Sequence, residues 1–336
     1  MDELASVIIV TFNHRKFLEK CLDSILDQDF PHEIIIVDND SHDGTPEFIE
    51  HEYHQVKIIR NQNNGYGAGN NLGVSQSSGN YIVILNPDTV VEKGWLRELI
   101  VPLTKKWGMI TVPKILLYDG SAINTVGNIN HFTGLTFTRG LNESPQSYPE
   151  SKELSGVSGA CFAIRKEDFL RMSGFDERFF LYNEDSEFSW RAHIYDFPIV
   201  FIPSSLMRHD YSLNVSPQKM YYLEKGRYLI LKTYFSRKMW LILIPSFILA
   251  EVLTFGYATR FGWTGILLKT RAFYEGLILT TSTEHRDGEK VLGYLEIQVP
   301  IDQLVSRNIE QKILRLCNRV FSWNFSIFIQ LFVQQE

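Results

Sequence analysis

Two acidic sites in this chain combine residue types and spacing suited to chemistry. At the first, Tyr81-Ile82-Val83-Ile84-Leu85 reads as a buried strand that Asn86-Pro87-Asp88 stops abruptly. Pro87 cannot continue a central ladder and stiffens the turn, so Asp88 is presented at the strand's C-terminal end. In open α/β sheets that end is where ligands bind. A carboxylate displayed there can hold a divalent cation, and the cation can hold a diphosphate. A solvated turn aspartate is the plainer alternative. The second site, Glu184-Asp185, stands immediately before the helical pattern Ser186 to His193. A carboxylate near a helix N-terminus is stabilised as the anion, and in a closed cleft it can act as a general base. The alternative is an N-cap with a surface acidic run.

Further polar residues could join them. Asp38 closes another strand, where an acidic side chain can bond a ribose or a base edge. Asn61 to Asn71, with Gly65, Gly67 and Gly69, leads into a helix from about Asn70 to Ser77. Glycines let backbone approach a ligand and a helix N-terminus favours anions, although a flexible loop with a cap reads the same way. His209 follows the strand-like Pro198 to Ile202 and the turn Pro203-Ser204-Ser205, which makes it a candidate imidazole partner for a cation at Asp88. Arg191 can pair with Glu187 at i and i+4 on the helix face, or it can face a phosphate.

The elements that must position these residues alternate strand and helix patterns to about residue 115, the signature of a largely parallel sheet. Strands are expected at Ser6 to Val10, Glu33 to Val37, Val56 to Ile59 and Tyr81 to Leu85. Lys16 to Leu26 carries apolar residues at helical spacing, and Thr45-Pro46-Glu47 looks like an N-cap followed by proline at the first helical position. Residues 115 to 150 turn irregular, then Val157 to Arg165 reads as a strand and Lys166 to Met172 as a short helix. A dinucleotide fold fails the test. The first turn, Thr11-Phe12-Asn13-His14-Arg15, has no glycine, and Leu72 occupies the third glycine's place counted from Gly67.

Composition narrows the class. The 336 residues are 44% hydrophobic and 21% charged, as in a globular protein, and the net charge of −6 argues against a nucleic-acid partner. Cys21, Cys161 and Cys317 are scattered, which argues against a disulfide framework or a zinc site and fits a reducing compartment. Met1-Asp2-Glu3 is acidic and the first apolar run is strand-sized, so no signal peptide is expected.

Taken together, these residues resemble the inverting glycosyltransferases of family 2. Within that family they resemble the rhamnosyltransferase-like enzymes of bacterial and archaeal polysaccharide assembly. The resemblance spans about residues 4 to 215. Val7-Ile8-Ile9-Val10-Thr11-Phe12-Asn13 resembles the opening strand and its nucleotide-contacting loop, which implicates Thr11 and Asn13. Asp38-Asn39-Asp40-Ser41-His42-Asp43-Gly44-Thr45 is similar to the D-N-x-S-x-D-G-T element, implying that Asp38 contacts the nucleotide. Asn64-Gly65 through Asn70-Asn71-Leu72-Gly73 looks like the loop near the diphosphate and donor sugar, and Ser158-Gly159-Ala160 like the strand start bordering that sugar. Asn86-Pro87-Asp88 occupies the D-x-D position with asparagine in place of the first aspartate, leaving Asp88 the firmer ligand. Glu184-Asp185 looks like the E-D motif, implying Asp185 as the catalytic base, and His209 resembles the histidine completing the metal site.

The resemblance implies a GT-A fold, Rossmann-like, with a mostly parallel sheet flanked by helices. It implies a UDP- or dTDP-linked sugar donor, a saccharide or polyprenyl-linked acceptor, Mg²⁺ or Mn²⁺, and a single displacement with inversion. Two rivals remain at this point: a nucleotidyltransferase, which would need a basic signature near the first strand, and a non-catalytic membrane partner that retains the fold.

On this reading residues 1–215 are the catalytic domain and 216–336 a helical region attached to the cytoplasmic face of the cell membrane. Met239 to Ala250 is an apolar run ended by Glu251, which would be costly inside lipid if the run continued through Ala258 as a span. Flanking Lys232, Arg237, Lys238, Arg260, Lys269 and Arg271, with Trp240, Tyr257 and Trp263, suit a helix lying in an anionic membrane surface. A helix packed on the catalytic domain and a true span are the alternatives. Ile309 to Val333 repeats apolar residues and suits attachment or self-association.

Overall fold

A computed structural model describes residues 3–211, 215–279, 287–304 and 308–332. The chain forms two compact units, Met1–Asn128 with Thr138–Leu213, and Ile129–Phe137 with Asn214–Glu336.

In the first unit β1 (Ala5–Thr11), β2 (His32–Asn39), β3 (Lys57–Asn61) and β4 (Tyr81–Leu85) alternate with α1 (Arg15–Leu26), α2 (Thr45–Glu52) and α3 (Tyr66–Ser75). These four strands are parallel, in spatial order β3-β2-β1-β4. There follow β5 (Thr89–Val91), α4 (Trp95–Lys105), β6 (Ile110–Leu117), β7 (Ile123–Thr125), β8 (Asn128–Asn130), β9 (Thr136–Thr138) and β10 (Lys152–Leu154). Next come β11 (Cys161–Arg165), α5 (Lys166–Arg171), α6 (Glu184–Ile194) and β12 (Ile199–His209). β11 enters antiparallel between β4 and β6, and β12 runs parallel to β6, so the far half of the sheet is mixed.

Alternate side chains of each strand serve opposite faces. Val7, Ile9, Val83 and Leu85 pack with Leu18 and Leu22 of α1 and Trp95 and Leu99 of α4. Ile8, Ile82 and Ile84 pack with Val74 of α3, Phe169 of α5 and Phe188 of α6. Burial on both faces is why these strands read as unbroken apolar runs.

Several boundaries differ from expectation, each for a physical reason. α3 begins at Tyr66, not Asn70, so Gly67, Gly69 and Gly73 lie inside a helix. A Cβ at Gly69 would come within 2.9 Å of Val10, and one at Gly73 within 2.4 Å of Ile8. These two glycines let the helix lie close on the sheet, and that packing outweighs their poor helix propensity. β12 continues through Pro203 to His209, absorbing the expected turn as a register shift between Ile202 and Leu206. β11 begins at Cys161 rather than Val157. Gly44, at φ +81°, takes the N-cap place expected for Thr45. Residues 115–150 contain β7, β8 and β9, not one irregular loop.

The second unit holds α7 (Pro217–Tyr234), α8 (Arg237–Ala258), α9 (Gly262–Phe273), α10 (Gly288–Leu292), α11 (Ile301–Leu304) and α12 (Asn308–Phe332); Val333, the expected end of the last helix, lies outside the described residues. Ser216 and Ser236 cap α7 and α8, accepting from the Lys219 and Met239 amides at 3.1 and 3.3 Å. Inside this unit Glu224 and Arg227 of α7, Glu251 of α8 and Lys269 of α9 form a closed charge cluster. Arg227 is 2.9 Å from Glu224 and also contacts Glu251; Lys269 is 3.0 Å from Glu251 and also contacts Glu224. Glu251 is therefore neutralised by its neighbours. Among the described residues the helical stretch Arg237–Ile278 is long and apolar enough to cross a membrane by length and composition.

Candidate active site

The sheet register gathers the sequence candidates on one edge. Thr11 at the end of β1 is level with Asp38 of β2, and Ile9 is level with Leu85, the last residue of β4. Cys161 pairs with Leu85 in the antiparallel direction, which puts Ser158 and Gly159 beside the β4 end. His209 pairs with Thr89, just beyond Asp88. The edge is the C-terminal one of β1, β2 and β4, where α/β sheets take ligands.

At one side of this edge the loops after β1 and β2 are laced together. Thr11 Oγ1 donates to Asp38 Oδ1 at 3.2 Å, and the Ser41 amide to Asp38 Oδ2 at 3.0 Å. The Asn13 amide donates to Ser41 Oγ, and Asn13 Oδ1 accepts from the His42 amide, both at 2.8 Å. Asn13 holds φ +59°, a left-handed conformation that asparagine tolerates. Asn39 then links this side to the start of α3, donating to the Gly65 carbonyl at 3.1 Å.

In the centre the Asn-Pro-Asp turn is hitched at three points. The Asn86 amide donates to Ala160 O at 2.9 Å, Thr89 Oγ1 to Asn86 O at 2.7 Å, and the Asp210 amide to Asp88 O at 2.9 Å. Tyr66, at the first position of α3, puts its hydroxyl 2.9 Å from both Asn86 Oδ1 and the Gly159 carbonyl. Burial, with Glu184 nearby, raises that phenol well above its ordinary range, so it stays protonated.

Asp88 Oδ1 lies 3.1 Å from His209 Nε2, and His209 Nδ1 lies 3.1 Å from Asn124 Oδ1. Burial alone would push the Asp88 carboxyl up, but the hydrogen bond and charge of His209, with His14 close by, hold it below the usual range. Burial keeps His14 itself below its ordinary value, against the pull of Asp88 and Asp43.

The donor set decides whether a divalent cation suits this spot. Asn124 orients the His209 ring through Nδ1, so that Nε2 and the Asp88 carboxylate face one spot. Carboxylate oxygen and imidazole nitrogen are suitable donors for Mg²⁺ or Mn²⁺. Among the described residues no three His, Cys, Asp or Glu side chains gather to hold an ion. The fit is thus a two-residue one, with other positions left to a ligand's oxygens and water.

Glu184 and Asp185 form the first turn of α6 itself, not the residues before it. Asp185 Oδ2 accepts from the Gly159 amide and from Asn128 Nδ2, each at 2.9 Å, and Oδ1 accepts from the Ser186 amide at 2.8 Å. Glu184 is buried, and its Oε2 has no hydrogen-bond partner among the described residues. Burial, with the Asp185 carboxylate beside it, pushes Glu184 up to about 8. Burial raises Asp185 as well, but its three N–H donors favour the anion. Burial and mutual repulsion thus favour one proton on the pair, and the N–H donors bias the negative charge toward Asp185.

Not every candidate reaches the edge. Arg191 is buried, donating to Glu187 Oε2 at 2.6 Å and to the Met172 carbonyl at 2.5 Å. Its guanidinium is committed to fixing α6, which corrects the phosphate-facing option. Asn70 is also fully buried and donates to the Tyr66 carbonyl at 3.0 Å. Asn64 is exposed, whereas a Cβ at Gly65 would lie 2.4 Å from the Phe180 carbonyl, so only glycine fits there. Sequence reasoning assigned no role to Tyr66, Asn124 or Asn128, although each touches a candidate side chain. The two asparagines lie in a stretch with no regular pattern, and only their arrival at the site marks them.

Comparison with known proteins agrees with this geometry. Residues 6–172 match the family described as "Glycosyl transferase family 2". The chain is 25% identical over 238 residues to the N-acetylglucosaminyl-diphospho-decaprenol L-rhamnosyltransferase of Mycobacterium tuberculosis, covering 62% of this chain and 76% of that protein. It is 28% identical over 182 residues to the GalNAc(5)-diNAcBac-PP-undecaprenol beta-1,3-glucosyltransferase of Campylobacter jejuni, covering 52% of this chain and 55% of that one. Among solved structures, GalNAc-T7 with UDP, GalNAc and Mn²⁺ superposes with a TM-score of 0.62 at 18% identity, over 87% of this chain and 56% of that one. That likeness establishes the GT-A fold. Motif order, sheet topology and these relatives converge, and the chain belongs to glycosyl transferase family 2.

Proposed function

We propose that the first unit transfers a sugar, with inversion, from a UDP- or dTDP-linked donor to a saccharide or polyprenyl-linked acceptor in cell-surface glycan assembly. The observation that carries this reading is the position of Asp185, a partly exposed carboxylate held by the Gly159 and Ser186 amides and by Asn128 beside the Asn86–Asp88 turn. Asp185 takes the proton of an acceptor hydroxyl as that oxygen attacks the donor's anomeric carbon and the bond to the diphosphate breaks. Thr11, Asn13 and Asp38 bind the nucleoside, and Asn64, Gly65, Asn70 and Asn86 shape the donor side, Asn70 from behind the Tyr66 carbonyl. Asp88 and His209 would hold Mg²⁺ or Mn²⁺, which would supply positive charge for the diphosphate of the leaving group. The chain otherwise positions two substrates and excludes water.

Residues 1–215 act as the catalytic domain in this proposal, and 216–336 attach it to the cytoplasmic face of the membrane. The apolar helix α8 lies in the bilayer surface, with Glu251 turned toward Arg227 and Lys269 of its own unit. Lipid-linked substrates named for both curated relatives support that location.

Titration of purified protein with a panel of nucleoside diphosphates and nucleotide-sugars, with Mn²⁺ and with EDTA, tests the donor site. Metal-dependent binding of one uridine or thymidine diphosphate sugar is the expected result. Folded protein that binds none of them would overturn the proposal in favour of a non-catalytic partner.

A further inference from the structure

We infer that α12 docks the second unit on an anionic phospholipid bilayer, with Arg315 and Arg319 receiving lipid phosphates. This rests on the membrane reading above and assigns it to a different helix.

α12 carries two apolar stripes where a helix packed on a soluble core needs one. Leu314, Cys317, Phe321, Phe325 and Phe328 are buried, and Asn324 locks this inner face to α8 by accepting from Ser246 Oγ at 2.6 Å and donating to Ile242 O at 2.8 Å. The second stripe, Ile309, Ile313, Leu316, Val320, Trp323, Ile327 and Leu331, recurs at steps of three and four residues. Ile309 is 74% exposed, Leu316 61% and Trp323 59%. An apolar row of that length facing outward marks an interaction surface. α8 repeats the pattern, with Leu241, Ile244, Ile248 and Val252 exposed along one side.

Charge selects the occupant. Lys312, Arg315 and Arg319 are exposed on the flank of the outer stripe, the side on which an interfacial helix meets headgroups. Arg315 and Arg319, one turn apart, line a cavity of about 320 Å³ with Gln298, Ile301, Asn318 and Ser322. Asn318 pins the opposite wall, bonding both the amide and the carbonyl of Val299 at 2.9 and 3.0 Å. Neither guanidinium has a carboxylate partner among the described residues. A second copy of the chain, paired through this stripe about a two-fold axis, would bring the basic flanks of both copies into one interface, which disfavours self-association. An anionic bilayer satisfies the apolar row and the arginines together.

The test is co-flotation of the full chain with phosphatidylcholine vesicles with and without about one-third phosphatidylglycerol, at low and high salt. Arg315→Gln/Arg319→Gln is expected to weaken partition onto the anionic vesicles about 30-fold, and Arg315→Lys/Arg319→Lys to restore most of it. Trp323 emission should shift to the blue on binding and be quenched by brominated lipid. Equal partition of the wild-type chain and the glutamine variant, both folded by circular dichroism, would overturn the assignment to α12 while leaving attachment through α8 intact. Failure of the wild-type chain to bind any vesicle would remove the membrane reading itself. A dimer in sedimentation that Leu316→Ser/Trp323→Ser converts to monomer, with vesicle binding unchanged, would assign the stripe to self-association instead.

Discussion

Each unit of the molecule buries ionisable side chains, and the two treat them in opposite ways. In the second, Glu224, Arg227, Glu251 and Lys269 close on one another, with Tyr228 donating to Glu251 at 2.6 Å. Two cations meet two carboxylates, so within this cluster the charges satisfy one another. In the first, Glu184 and Asp185 are adjacent carboxyls without a cation partner among the described residues, so one of them keeps its proton. Further along the same helix Arg191 is spent on Glu187. Neutralised charge orders the fold, whereas the Asp185 carboxylate is held by amides alone, the arrangement that the proposed proton transfer needs.

The contrast can be broken from either side. Asp185→Asn should lower turnover by at least about 10³-fold while nucleotide affinity and melting temperature hold, because it removes a base and leaves the amide donors in place. Steady-state kinetics beside a binding titration read this, and turnover within tenfold of wild type would count against Asp185. Lys269→Met should act on stability instead, costing about 3 kcal/mol, since it leaves the Glu224 and Glu251 carboxylates to share one cation, Arg227. Chemical denaturation followed by circular dichroism measures that loss.

A pH series sharpens the comparison. Glu184 is raised above its unfolded value, so its proton stabilises the folded state most at low pH. That contribution declines as pH climbs from about 4.5 through about 8. Glu184→Gln should flatten the fall in melting temperature over that window, and identical slopes in the two proteins would contradict the assignment. The smallest effect belongs to Tyr66→Phe, which removes the hydroxyl between Asn86 and Gly159. It should cost about tenfold in kcat, the worth of one buried hydrogen bond, with the overall fold unchanged.

Much of the fold could be read from the residues because burial writes itself into them. Tyr81 to Leu85 is apolar on both faces and ends at a proline turn, so its bounds and the Asn86-Pro87-Asp88 corner were legible. Thr11, Asp38, Asp88 and His209 were placed at strand ends by the same logic, and the register does bring them to one edge. The start of α3 is hidden in the sequence because Gly67 and Gly69 lower local helix propensity while letting the helix close on Phe175 and Val10. β12 was cut short because Pro203 reads as a stop unless a bulge accommodates it. Asn124 and Asn128 carry no local signal at all. Arg191 was ambiguous by spacing, and only its burial decides between an ion pair and a ligand contact.

The sheet order has a consequence for synthesis of the chain. The nucleotide-side residues on β1 and β2 emerge early, but His209 stands at the end of β12, the last strand made, which pairs with β5 and β6 from far upstream. A nascent chain therefore carries Asp88 for more than a hundred residues before its imidazole neighbour exists. The ribosome completes the Asp88–His209 pair only as the first unit itself is finished, so truncation anywhere before that strand leaves Asp88 without its imidazole neighbour.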